Sequence, residues 1–275
     1  MSDAIAVHHG SFGRAALYRL DKPIVTHAHR EGHLIFFLSG SAAKVTVSGE
    51  CQIADTDRAV AVSPWEPHSF ELLEPQGACH CLVLYIKPIW FLESSESAEY
   101  ALRFGRSGIE VNPAVLRALR LISSLMHEEE TPGVFNKYLY ELTSRSFQES
   151  WAGIDRSQPL ILGEQKFTDY RVRRSLRLMQ EQFAETLGMD ELARQSGLSR
   201  PHFFTLFKKQ MGVSPNIYLN TLRTERAIQE LVNTNKSVTD ISTDLGFSSQ
   251  ASFTRFFASN VGIPPTEYRR VGYST

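Results

Sequence analysis

The sequence predicts an α+β chain of several domains: a β-rich N-terminal half forming a small barrel or sandwich, a pair of helices, and an all-α C-terminal domain with two helix-turn-helix units. Three observations predict it. Residues 12–87 run in short alternating or β-branched segments cut by turn signals. From residue 112 the apolar period changes to three and four. The last third holds one segment written twice, Gly197–Phe207 and Gly246–Phe257, at an offset of 49 that becomes 50 after one extra turn residue. A repeat near 50 residues made of short helices implies two copies of one supersecondary unit.

At 275 residues the chain can build two domains with their own cores. No run of 18 uncharged apolar residues occurs, which excludes a membrane-spanning helix. The start, MSDAIAVHHGSFGR, carries acids and histidines where a signal peptide needs a basic and then an apolar stretch, so a cytoplasmic address is expected. Cys51, Cys79 and Cys81 are odd in number and do not read as a disulfide framework. The net charge of −1 hides an asymmetry: residues 1–163 carry 14 Lys or Arg against 19 Asp or Glu, and residues 164–275 carry 15 against 11. The halves are thus −5 and +4, and a basic C-terminal part suits a polyanionic partner.

In the N-terminal half, strands are expected at Ala15–Leu20, His33–Leu38, Ala43–Ser48, Ala59–Val62, His68–Leu73 and Cys79–Ile86. Short strands at this spacing favour a sandwich or small barrel over a parallel sheet. Asn112 is then a candidate N-cap with Pro113 at the first helical position, opening a helix with a Val115, Leu119, Ile122, Met126 stripe that ends in the acid run Glu128–Glu130. Thr131-Pro132 repeats the start signal for a helix over 134–150. The expected boundaries are a barrel over 1–110, a helical pair and possible dimerisation element over 111–152, a linker over 153–168 rich in helix breakers, and the all-α domain over 169–275.

In each copy of the repeat a short apolar helix ends at Gly197 or Gly246, and after one or two serines a second helix begins. Phe203, Leu206 and Phe207, and in the other copy Phe253, Phe256 and Phe257, mark the packed faces. The outward positions are Arg200, Pro201, Phe204, Thr205, Lys208 and Lys209 on the first unit, and Gln250, Ala251, Ser252, Thr254 and Arg255 on the second. Gln and Arg can read adenine and guanine edges bidentately, and an outward Phe can meet a thymine methyl. The two second helices suit successive major grooves of double-stranded DNA, with the helix over 216–231 as spacer.

Residues 170–270 closely resemble the DNA-binding domain of the AraC/XylS family, most clearly in Ile241-Ser-Thr-Asp-Leu-Gly-Phe-Ser-Ser-Gln-Ala-Ser-Phe-Thr-Arg-Phe-Phe followed by Gly262-Ile-Pro-Pro-Thr-Glu-Tyr-Arg-Arg270. The resemblance implies base reading by Arg200, Pro201, Phe204, Thr205, Gln250, Ala251, Ser252 and Arg255. It also implies a small-molecule effector, activation of transcription, and contact with RNA polymerase; the helical pair needs a surface to cover, either the sheet, a second subunit of a homodimer, or both. The N-terminal half is similar to the cupin barrel that often serves as sensor in such regulators. His27 and His29 keep the motif's spacing to Gly40 with His33 in the place of the acid, and His68 is retained while Trp65 replaces a Gly.

Four imidazoles, His27, His29, His33 and His68, could ligate a divalent transition metal such as zinc, nickel or iron, or serve as hydrogen-bonding or core residues. The expected effector pocket is lined by Arg19, His29, His33, Phe37, Trp65, His68 and His80, which suits a small polar or anionic molecule with an apolar part. The reading is a regulator and not an enzyme. The alternatives are a metal-dependent cupin enzyme with an appended regulatory domain, and a module whose helix-turn-helix fold contacts protein.

Overall fold

A computed structural model describes residues 2–94, 103–126, 132–154, 169–183 and 188–274. The chain divides into two compact units, Met1–Ile154 with Ala258–Thr275, and Asp155–Phe257.

The first unit is built on two sheets. Strands β1 (Asp3–Gly10), β2 (Gly13–Leu20), β4 (Gly32–Gly40), β7 (Arg58–Val62), β9 (Cys79–Ile86), β10 (Gly108–Glu110) and β11 (Gly272–Ser274) form a seven-stranded sheet in the order β10-β7-β4-β9-β2-β1-β11. The remaining strands, β3 (Ile24–His27), β5 (Ala43–Val47), β6 (Glu50–Ala54) and β8 (His68–Leu72), form a second sheet in the order β3-β8-β5-β6. All pairings are antiparallel except β1 with β11.

The expectation of a closed, cupin-like barrel is overturned. The large sheet ends at β10 and β11 and the small one at β3 and β6, and no ladder among the described residues joins one sheet to the other. Short strands with turn signals occur equally in barrels and in open sheets, because closure depends on which distant strands pair.

Val45, Val47, Leu34, Phe36, Leu82 and Leu84 are among the fully buried side chains of this unit. Helix α1 (Pro88–Ser94) follows β9 directly. Helix α2 (Pro113–Leu125) starts where the capping signal placed it: the Asn112 Oδ1 accepts from the amides of Ala114 and Val115, both at 3.0 Å. Helix α3 (Pro132–Ser150) lays Phe135 against His8 and Phe12, and Phe147 against Phe91 and Phe104. The acid run 128–130, Thr131 and most of the expected linker, residues 155–168, lie outside the described residues.

The second unit is helical: α4 (Tyr170–Gln182), α5 (Met189–Gln195), α6 (Arg200–Met211), α7 (Pro215–Asn233), α8 (Val238–Asp244) and the start of α9 (Gln250–Val261). Residues Ala258–Val261 of α9 and all of α10 (Pro265–Val271) belong to the first unit.

The duplication is visible in the backbone. Gly197 and Gly246 end α5 and α8 at φ of 73° and 75°, and Gly212 and Gly262 end α6 and α9 at 75° and 91°. A side chain is strained in that left-handed region, so glycine at these four points is what stops each helix. Leu192 and Ile241, Phe203 and Phe253, and Phe207 and Phe257 occupy matching positions, each with 0% exposure.

Candidate nucleic-acid interface and interior histidine cluster

Burial of Phe203 and Phe207 fixes the rotation of α6 and leaves Arg200, Pro201, Thr205, Lys208 and Lys209 exposed. Phe204 is half-buried, edge-on to Phe203 at 5.9 Å, with the Arg200 guanidinium 5.7 Å from its ring centroid. Arg200 also donates to Asp190 Oδ2 at 2.9 Å. That pair is exposed on both sides, so releasing it costs little. The Thr205 hydroxyl donates back to the Pro201 carbonyl at 3.0 Å. His202, exposed beside Pro201, belongs to the same surface. Sequence reasoning passed over it, although its place next to buried Phe203 was the available signal.

On α9, Gln250, Ala251 and Arg255 are exposed, and Ser252 and Thr254 are half-buried. The Ser249 Oγ accepts from the Ser252 amide at 3.2 Å and caps the helix. Gln250 Oε1 accepts from Thr239 Oγ1 at 2.9 Å, which anchors the recognition helix to α8 and orients the amide. Arg255 makes a long contact to Ser252 Oγ at 3.4 Å and no ion pair among the described residues, so its guanidinium is available to a partner.

In the first unit the histidines converge. The side chains of His27, His29 and His68 offer ligand atoms that all lie within 4.8 Å of one another. His27 donates from Nδ1 to the Val25 carbonyl at 2.7 Å and His68 from Nδ1 to the Glu66 carbonyl at 3.0 Å. Both bonds leave the Nε2 lone pairs directed inward, the arrangement that backbone carbonyls impose on metal-binding imidazoles. His33 Nδ1 lies 3.0 Å from His68 Nε2, which makes His33 the donor there. The His29 and His33 Nε2 atoms are buried with no hydrogen-bond partner.

All four imidazoles are neutral near pH 7. Burial lowers His27 to about 4 and His68 to about 3, and burial together with the neighbouring imidazoles holds His29 and His33 well below the usual range. Three neutral imidazoles at this spacing can coordinate a metal ion.

The cavity beside them measures about 20 Å³ and is walled by Tyr18, His27, His33, His68, Cys81 and Tyr85 among others, with Asn260 and Val261 from the last turn of α9. One water needs roughly 10–15 Å³ and a drug-sized ligand roughly 300–1,000 Å³. The space therefore suits a single ion or about one water.

Arg19, His29, Phe37, Trp65 and His80 do not wall this cavity. Arg19 faces His80 across the β2–β9 ladder, on the opposite side of the sheet from Tyr18, and pairs with Asp21 at 3.7 Å. Phe37 is half-buried beyond the cavity, and half-buried Trp65 holds a positive φ of 64° in the turn before β8, its amide donating to the His29 carbonyl at 2.7 Å.

Residues 192–271 match the family described as "Helix-turn-helix domain". An uncharacterized HTH-type transcriptional regulator of Bacillus subtilis, YobQ, is 27% identical over 256 residues, covering 90% of both chains. The lactose operon transcription activator of Staphylococcus xylosus is 24% identical over 60% of this chain and 57% of its own length. Among solved structures, ToxT from Vibrio cholerae matches at a TM-score of 0.54 and 12% identity, covering 94% of this chain and 96% of that one, a likeness of fold. The relatives named here are transcriptional regulators. With the duplicated helix-turn-helix units and their exposed second helices, these findings make the chain similar to DNA-binding transcriptional regulators, with a helix-turn-helix domain over residues 192–271.

Proposed function

We propose that the chain reads an operator with α6 and α9 in successive major grooves, and that ligand occupancy of the histidine cavity in the first unit controls it. The observation that carries the first part is the matched pair of helices, each fixed by two buried phenylalanines and each presenting an exposed polar face. Gln250 and Arg255 read base edges. Lys208 and Lys209 hold phosphate, and Arg200, Pro201, His202, Phe204 and Thr205 supply mixed polar and apolar contacts, with Ala251, Ser252 and Thr254 lining the second surface. Arg255→Ala is expected to cost about 1–3 kcal/mol and relax preference at one base pair. Lys208→Ala is expected to weaken all sequences alike and lower the salt slope by about 1. Fluorescence anisotropy on operator variants selected from genomic fragments checks both, and equal weakening on all sequences by Arg255→Ala would reassign Arg255 to phosphate.

For control, the supporting observation is that Asn260 and Val261, the end of α9, share walls with the histidine cavity. The ligand is a divalent transition metal, zinc, nickel or iron, held by His27, His29 and His68. Zn–N distances of roughly 2.0–2.1 Å require the three nitrogens to draw closer and His33 to release His68. Elemental analysis of protein purified without chelator is expected to find near-stoichiometric metal, or uptake on addition. Finding neither stoichiometric metal nor uptake removes the metal from the reading. The regulator works as a homodimer through α2 and α3, where Leu121 and Val134 are exposed, and activates transcription through RNA polymerase.

A further inference from the structure

Helix α4 carries four arginines, Arg171, Arg173, Arg174 and Arg177, against one acid, Glu181. Val172, Ser175 and Met179 are buried at spacings of three and four, and α4 packs against α5 and α6. At about 3.6 residues per turn the opposite side of the helix presents Tyr170, Arg173, Arg174, Arg177 and Glu181. All five are exposed, Tyr170 by 66%. With Leu178 they line an open groove of about 610 Å³.

Arg171 is committed locally: its Nε and Nη2 donate to the two carboxylate oxygens of Asp169, the N-cap of the helix, at 3.0 and 2.7 Å. Arg173, Arg174 and Arg177 form no ion pair among the described residues. Exposed arginines on the other helices behave differently, Arg145, Arg194, Arg226 and Arg270 each meeting a glutamate three or four residues away. Arg177 has Glu181 at that same spacing and does not pair with it. Three neighbouring guanidiniums repel one another, and the first turn of α4 holds no acid to satisfy the helix dipole. Such a face is relieved by an anion with several charges.

The start of α4 also lies beside the surface of α6. His202, exposed next to Pro201, is within electrostatic reach of Asp169. Tyr170 follows Asp169 directly, so the arginine face begins next to the α6 surface. Guanidiniums grip phosphate oxygens with paired N–H donors, and duplex DNA offers phosphates in a regular row.

We propose that Arg173, Arg174 and Arg177 of α4 clamp the DNA phosphate backbone flanking the groove that α6 enters. The clamp rests on the reading of α6 and α9 as recognition helices, and adds sequence-independent affinity to it. Tyr170 offers its hydroxyl to the same phosphates, and Glu181 bounds the contact at the far end of the groove by repelling them.

The test compares full-length wild type with a triple variant, Arg173→Gln with Arg174→Gln and Arg177→Gln, and with the corresponding triple lysine variant. Fluorescence anisotropy follows a selected operator and a mismatched one across a salt series. The glutamine variant is expected to lower the slope of log K against log salt by about 3, at roughly 0.9 per phosphate contact. It should weaken both duplexes by the same factor and lose hydroxyl-radical protection on one flank of the α6 half-site. Its unfolding midpoint should stay in place, since glutamine and arginine have similar helix propensities. The lysine variant, which keeps the charge, should restore the slope. An unchanged slope and footprint in the glutamine variant, with wild type binding its operator, overturns the clamp and leaves the recognition-helix reading standing. A changed operator preference at constant slope overturns it too, by making the arginines base readers. Normal DNA binding with lost transcription in a reconstituted assay assigns the face to an acidic protein surface instead. Wild type that binds no selected fragment overturns both readings together.

Discussion

Acidifying chelator-treated protein from pH 7.5 to 5.5 is expected to destabilise the first unit by roughly 5 kcal/mol, read as a fall in the urea midpoint. The four interior histidines have depressed folded values, burial being the main cause. In the unfolded chain they titrate near 6.5. Below that pH the unfolded state binds more protons than the folded one, so stability is fully present above it and is lost as pH falls. At pH 5.5 each imidazole contributes a loss of roughly 1.4 kcal/mol, and four give the total. His9, lowered to about 3 by burial first and then by Arg14, acts in the same direction. The lowered carboxylates, such as Asp55, enter only below their ordinary range and do not offset the loss.

His33→Gln should flatten the slope by one imidazole's share. Bound zinc should displace the transition to lower pH, because metal and protons compete for the same lone pairs. A midpoint that does not move between pH 7.5 and 5.5 would show that the cluster is solvated in solution. With folding stabilities of only about 5–15 kcal/mol, the full loss would open this unit near pH 5.

How much of this was legible in the sequence follows from how local each feature is. The Asn112 cap, the four helix-stopping glycines and the phenylalanine pairs depend on neighbours within a few residues, and each stands where the pattern put it. Strands β1, β3 and β6 escaped because polar residues such as His8, His9 and Gln52 interrupt their apolar signal, and their pairing with distant strands is what makes them strands. Two open sheets in place of a barrel is a difference of the same non-local kind.

Interior Arg14, 7% exposed, is the instructive case. Arg14 and Arg19 are separated by an odd number of residues on one strand, so one faces in when the other faces out. The phase of β2 is set by its register with β9, which places Arg14 opposite Tyr85, and no local pattern encodes it. The histidines were legible because four of them fall on β3, β4, β8 and the intervening turn, whichever way the sheets close.

Phe253→Ala and Phe203→Ala are each expected to cost about 3–5 kcal/mol, since both remove a fully buried ring from a packed helical core. Phe253 packs on Phe247 at 5.4 Å and Phe257 at 5.9 Å, and Phe203 packs on Phe207 at 5.6 Å, so each deletion empties the centre of one helix-turn-helix unit. Thermal unfolding followed by circular dichroism should show similar losses at the two positions, as a duplicated architecture requires. A loss at one position only would mean that one unit is held by contacts outside the repeat. Phe204→Ala sets the contrast, because its ring is half-buried and its removal should cost little stability. Any weakening of operator binding by Phe204→Ala beyond its effect on unfolding then belongs to the DNA surface. Weakening by Phe253→Ala instead tracks the unfolded fraction and vanishes at temperatures where the variant is folded.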